Sequence, residues 1–141
     1  MANDILDNLF KKLKGDKMGT TPPPSEDDGM TAEQLYQLAE KLYAEGNKDQ
    51  AFVNYKKSAD KGHIEAMYQT ALCYDEGIGT IKDPVKAVDY YKLAANQGHR
   101  SAQFNLAVNY DNGIGVAQDQ AVAVEWYKKA AIQGHVSAQF N

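Results

Sequence analysis

From Gly62 onward one stretch of chain is written twice without a gap. Set over Gly98–Gln133, the segment Gly62–Gln97 is identical at 17 of 36 positions. The shared residues include Gly62/Gly98, His63/His99, Ala66/Ala102, Ala71/Ala107, Tyr74/Tyr110, Asp75/Asp111 and Tyr91/Tyr127, with Gly-Ile-Gly at 77–79 and again at 113–115. A third copy opens at Gly134-His135 and runs on through Ser137-Ala138-Gln139-Phe140-Asn141. A fixed period of this length marks an array whose units bury their apolar faces only against their neighbours.

Within each copy the apolar spacing predicts two helices. The first run about Ile64–Glu76 and Arg100–Asn112, with stripes at Ala66, Thr70, Ala71, Tyr74 and at Ala102, Leu106, Ala107, Tyr110. Glycine-rich connections follow at 77–82 and 113–118, and then Asp83-Pro84 and Asp119 open the second helices. Those helices bury Ala87, Tyr91, Ala94, Ala95 and Ala123, Tyr127, Ala130, Ala131. Alanines let paired helices approach closely, and tyrosines fill the gaps between pairs.

Residues 31–61 read as a divergent first unit. Thr31 with Gln34 forms a capping box, and Leu35, Leu38, Ala39 and Leu42 give the first stripe. Gly46 ends that helix, Asn47 with Gln50 restarts another, and Ala51, Tyr55, Ser58 and Ala59 give its buried side. The expected domain is therefore 31–141, with units 31–61, 64–97 and 100–133 and a partial fourth unit at 136–141.

Ahead of it lies an arm, residues 1–30. Ile5, Leu6, Leu9, Phe10 and Leu13 fall on one stripe of a short helix over about 3–14. Prolines 22–24, several glycines and the acids Glu26, Asp27 and Asp28 then make a linker. An isolated helix of this size is marginal in water. Three readings stay open: a partly helical tail, a weak membrane-surface anchor through residues 4–14, and a segment that docks on a partner or on the array.

The repeat residues permit a family resemblance. Ala102-Gln103-Phe104-Asn105-Leu106-Ala107-Val108-Asn109-Tyr110-Asp111-Asn112-Gly113-Ile114-Gly115 and Glu125-Trp126-Tyr127-Lys128-Lys129-Ala130-Ala131 resemble the Sel-one-like repeat, a relative of the tetratricopeptide repeat. The resemblance covers 31–141. The short connection of the first unit looks more like a plain tetratricopeptide unit, and Thr70 stands where the family prefers leucine, which points to looser packing. The resemblance implies an all-α fold, a right-handed α-solenoid of stacked antiparallel helix pairs. It also implies a scaffold that holds partner proteins or peptides, with enzymes few in the family.

Catalytic and cofactor chemistries find little support. The recurring His63, His99 and His135 sit about two helix-packing distances of 8–10 Å apart, too far to share one ion, so they are expected to close turns. The Gly-x-Gly loops follow helices and lack the lysine and hydroxyl of phosphate cradles. Asp111-Asn112-Gly113 lacks the later acidic ligands of a calcium loop. Cys73, the single cysteine, excludes an internal disulfide framework and is expected to be structural. A net charge of −4 argues against nucleic acid. No run approaches the roughly 20 apolar residues of a membrane span, and Asp4, Asp7 and Asn8 break any secretory core. The expectation is a cytoplasmic protein without cofactor or metal, neither enzyme nor nucleic-acid binder. The alternatives are a small hydrolase of the β-lactam-binding type and a membrane-surface adaptor.

The remaining expectation is a surface. If the first helices line the concave side, its outward residues are Tyr36, Glu40, Tyr43, then Tyr68, Leu72, Asp75, Glu76, then Phe104, Val108, Asp111, Asn112. Aromatic and aliphatic groups among acids suit a peptide carrying basic and apolar side chains. Equally, Tyr68 and Phe104 could fill gaps between units while the acids only solvate the surface. At the other end the last helix is expected to leave apolar surface around Trp126 and Ala130 open, for self-association or for the arm.

Overall fold

The computed structural model describes residues 29–138, with side chains described through Gly134. The arm and its amphipathic stripe lie outside the described residues, apart from Gly29 and Met30. Six helices follow in order: α1 Ala32–Ala44, α2 Lys48–Asp60, α3 Ile64–Glu76, α4 Pro84–Asn96, α5 Arg100–Asn112 and α6 Gln120–Ala138. No strand occurs among the described residues. Each helix packs on its sequence neighbour, α1 with α2, α3 with α4, α5 with α6, and the pairs stack through α2–α3 and α4–α5. The result is a helical solenoid.

Local chemistry sets the helix ends. The Thr31 side chain accepts from Gln34 N at 3.1 Å, and Thr31 N donates back to the Gln34 side chain at 2.9 Å, completing the capping box. Asn47 stands at the start of α2 but makes no side-chain cap bond there. Asp83 and Asp119 accept from Lys86 N and Val122 N, each at 3.1 Å. Gly77 and Gly113 adopt the left-handed conformation at the C-caps of α3 and α5. Ile78 N then reaches back to the Cys73 carbonyl and Ile114 N to that of Asn109, both at 2.9 Å.

Alanine holds the helices close. Ala39, Ala66, Ala71, Ala87, Ala94, Ala102 and Ala107 are wholly buried, and the largest fully buried side chains are Tyr55 and Tyr91. Thr70 is equally buried, and its hydroxyl donates to the Ala66 carbonyl at 2.7 Å. The threonine is tolerated in the core because its own helix satisfies the hydroxyl. Asn109 stands in α5 at the register of Cys73 in α3, and its buried Nδ2 has no hydrogen-bond partner among the described residues.

The chain departs from its own pattern at Gly134. Gly62 and Gly98 turn the chain with φ of +100° and +88°, but α6 runs straight through Gly134 to Ala138. No turn closes there, and residues 136–138 continue α6 instead of opening a fourth unit. Two causes converge. At the earlier turns the following histidine is held by Glu33 and Glu65, and Ser101 replaces that acid in the third unit. A glycine inside a helix also costs only about 1 kcal/mol, so little opposes continuation of α6 through Gly134. The open face is displaced too: Ala130 is buried and Trp126 packs against the core, whereas Val124, Ala131 and Ile132 are exposed.

Candidate protein-interaction surface

Two side-chain ladders run across the first helices. One is made by histidine. His63 and His99 are the N-caps of α3 and α5, and their Nδ1 atoms accept from Ala66 N and Ala102 N at 3.1 Å. An accepting Nδ1 leaves the ring proton on Nε2, which faces Glu33 at 2.8 Å and Glu65 at 2.9 Å. Each ring also stacks on the preceding unit, His63 on Tyr36 at 4.4 Å and His99 on Tyr68 at 4.5 Å between centroids. The histidines close the turns as expected, and they also clip each unit to the one before it.

The second ladder is made by tyrosine. Tyr55 and Tyr91, from the second helices, donate to Glu40 and Asp75, the latter bond at 3.0 Å. Tyr91 also accepts from Asn105 Nδ2 at 3.2 Å, tying α4 to α5. Asp75 and Asp111 share one register; Glu40 lies one turn earlier, since Tyr43 holds that register in α1.

The proposed site residues are thus unequally placed. Glu40, Asp75 and Asp111 are anchored by tyrosines, so they are structural acceptors as well as surface acids. Tyr36 and Tyr68 are half-buried beneath imidazoles. Leu72 and Val108 are half-buried, and Glu76 and Asn112 are exposed. Tyr43 and Phe104 are among the exposed large apolar side chains; Lys48 Nζ lies 5.8 Å from the Tyr43 ring, and Phe104 meets Tyr127 edge-on at 5.5 Å. Sequence reasoning missed Glu33, Glu65 and Asn105, and treated Tyr55, Tyr91 and Tyr127 as filler. The recurring signal was an acid 16 residues before Tyr91 and before Tyr127.

These environments raise the tyrosine hydroxyls. Tyr36 is pushed up to about 12, by burial first and then by the Glu40 and Glu65 carboxylates. Tyr55 and Tyr90 are raised by burial and then by bonds to Glu40 and Asp60. Tyr91 is raised by burial and by Asp75, against the opposing bond from Asn105. Tyr127 is raised by burial, then by Asp111. A group raised in the folded state adds stability that is complete below its unfolded value, near 10 here, and is lost as pH climbs toward the folded one. Alkali is therefore expected to leave the fold intact to about pH 10 and to unfold it cooperatively above. Helical circular dichroism and phenolate absorbance at 295 nm should change together; phenolate appearing in an intact helical fold would contradict this.

Buried Cys73 is raised to about 11, by burial and then by Glu76, which keeps it a thiol. Among the described residues no three His, Cys, Asp or Glu side chains group as metal ligands, and no helix is long and apolar enough to cross a membrane.

Stacked antiparallel helix pairs clipped by recurring side chains define a repeat scaffold of the α-solenoid class. The chain belongs to the Sel1 repeat family, which matches residues 32–63, 64–99 and 100–135. The match includes the first unit, which the short connection had suggested was a plain tetratricopeptide unit. The fold is similar to the structure of c5321, a protective antigen of uropathogenic Escherichia coli strains displaying an SLR fold, at 30% identity and a TM-score of 0.72 over 96% of this chain and 31% of that one. It is also similar to a Sel1 repeat protein from Oxalobacter formigenes, at 33% identity and a TM-score of 0.66 over 74% and 43%. Chitin synthase regulator SKT5 of Saccharomyces cerevisiae is 43% identical over 44 residues, which is 31% of this chain and 6% of that protein. The chain thus spans less than half of each of these relatives. Sel1 repeats typically serve as protein–protein interaction modules.

Proposed function

We propose that this chain is a non-catalytic scaffold that binds a partner protein or peptide across its first helices, α1, α3 and α5, as the concave side of the solenoid. One observation carries the reading: acids and aromatic rings recur on the first helices of all three units, anchored by the ladders, with Tyr43, Glu76, Phe104 and Asn112 left exposed among them. Rings supply contact area at low entropic cost, and the acids favour a segment with basic and apolar side chains. A single cysteine suits a reducing compartment, and a cytoplasmic location is part of this reading. The test is proximity labelling to identify the partner, followed by titration calorimetry with Tyr43→Ala, Glu76→Lys and Phe104→Ala. Each substitution is expected to weaken binding by roughly tenfold with the helical signal unchanged. Equal affinity for all three variants would move the site elsewhere. Turnover of a small molecule abolished by Cys73→Ala would make the protein an enzyme instead.

A further inference from the structure

Charge is divided unevenly among the helices. α3 carries Glu65, Asp75 and Glu76 and no basic residue, and its last turn, where a cation would suit the helix dipole, holds two of those acids. Beside it α1 presents Glu40 and Tyr43, the latter 41% exposed, and half-buried Leu72 of α3 stands at the register of Glu40. Elsewhere the setting differs. Exposed Val53 on α2 lies beside Lys56 and Lys57 of its own helix, and the outer edge of α1 shows Gln34, Gln37 and Lys41.

The arm holds a segment of the opposite sign. Leu9-Phe10-Lys11-Lys12-Leu13-Lys14 has three lysines and no acid. At about 100° per helical residue, Lys12 and Lys14 border the stripe of Ile5, Leu6, Leu9, Phe10 and Leu13 on opposite sides. A helix over 4–14 would be about 16 Å long, close to the separation of at most about 20 Å between first helices of successive units. The tether also reaches. Met30 packs on the core and its carbonyl accepts from Lys61 Nζ at 2.8 Å, which fixes where the arm leaves the array. From there residues 15–29 can extend about 50 Å. Glu76 lies within about 30 Å, one helix length along and one unit across.

We infer that residues 4–14 seat on α1 and α3 of the same chain, their apolar stripe over Tyr43 and Leu72, with Lys12 and Lys14 toward Glu40, Asp75 and Glu76. The arm then covers the first two units of the binding surface proposed above, a reading on which this regulatory role rests, and a partner must displace it. Tethering supplies an effective concentration of about 1 mM. A contact with a Kd of only about 100 µM would therefore keep the seat roughly nine-tenths covered and weaken a competing partner about tenfold.

A nitroxide attached at Asn3→Cys in the full chain tests the contact by NMR relaxation, with the thiol of Cys73 buried away from the label. Amides of Tyr43 and of residues 72–76 are expected to lose most of their intensity, while those of α6 keep theirs. The loss should vanish when Leu9→Asp and Phe10→Asp are combined, shrink with Glu76→Lys, and persist on dilution. Circular dichroism confirms that each variant keeps its helices. Four results would overturn the inference: loss spread evenly over all helices, loss centred away from α1 and α3, loss that survives Leu9→Asp with Phe10→Asp, or loss that fades on dilution. The last would seat the arm on a second copy. No partner enters this measurement, so the two readings fail separately. A seated arm beside partner affinity unmoved by Tyr43→Ala and Glu76→Lys would remove the partner site and leave the arm contact. Partner binding that depends on those residues, with the arm elsewhere, would remove this inference alone.

Discussion

Gly79→Ala is expected to lower stability by about 3 kcal/mol or more, far beyond an ordinary glycine substitution. Two costs add at this position. Its φ is +71°, where a side chain costs roughly 1–2 kcal/mol. A Cβ there would also fall 2.2 Å from the Lys48 carbonyl oxygen and 3.1 Å from the Phe52 Cβ. Lys48 and Phe52 belong to α2, so the loop after α3 lies directly on the start of the preceding second helix. Backbone oxygen cannot swing aside as a flexible side chain does, so the loop must lift and the seam must open. Gly115 repeats the arrangement against Pro84 of α4, also at 2.2 Å. Gly62 is the control: its φ is +100°, yet a Cβ there meets nothing within 4 Å. Gly62→Ala is therefore expected to cost about 1 kcal/mol. Urea unfolding of both variants decides the matter, and coinciding midpoints would mean that the loop does not rest on α2.

This difference between glycines bears on how much of the protein was legible beforehand. The period of 36 placed the helices, because alanine spacing and capping residues are local properties that survive in any tertiary setting. The predicted bounds of α3 and α5 coincide with the observed ones for that reason. Gly77 and Gly79 looked alike in the sequence, however, and only packing separates a C-cap from a loop pressed on a neighbour. The acids were legible as a repeating feature but not as acceptors. Asp75 meets Tyr91 only because two helices cross at a fixed height, which spacing alone does not fix. Gly134 misled because a glycine permits a turn without requiring one. What makes the turn at Gly62 and Gly98 is the whole set that follows: the histidine cap, the ring beneath it and Glu33 or Glu65 beside it. Ser101 breaks that set, and the helix goes on.

Tyr91 is where the seams and the candidate surface depend on one side chain. It is fully buried, its ring lies 6.1 Å from that of Tyr68, and its hydroxyl joins Asp75 of its own unit to Asn105 of the next. Tyr91→Ala removes the ring and leaves a cavity among alanines, whose side chains are too short to collapse into it. The expected cost is about 4 kcal/mol. Tyr91→Phe keeps the ring and deletes only the hydroxyl, leaving the Asp75 carboxylate and the Asn105 amide, both partly exposed, to find water. That change is expected to cost about 1–2 kcal/mol. Each unit touches only its neighbours, so the loss falls on the seam between the second and third units first. Hydrogen exchange should quicken in α4 and α5 before α1 and α2. The two variants apportion the role of Tyr91 between ring and hydroxyl. Equal destabilisation by both would assign the seam to the hydrogen-bond network alone, and an unchanged Tyr91→Phe would leave Asp75 free for a partner.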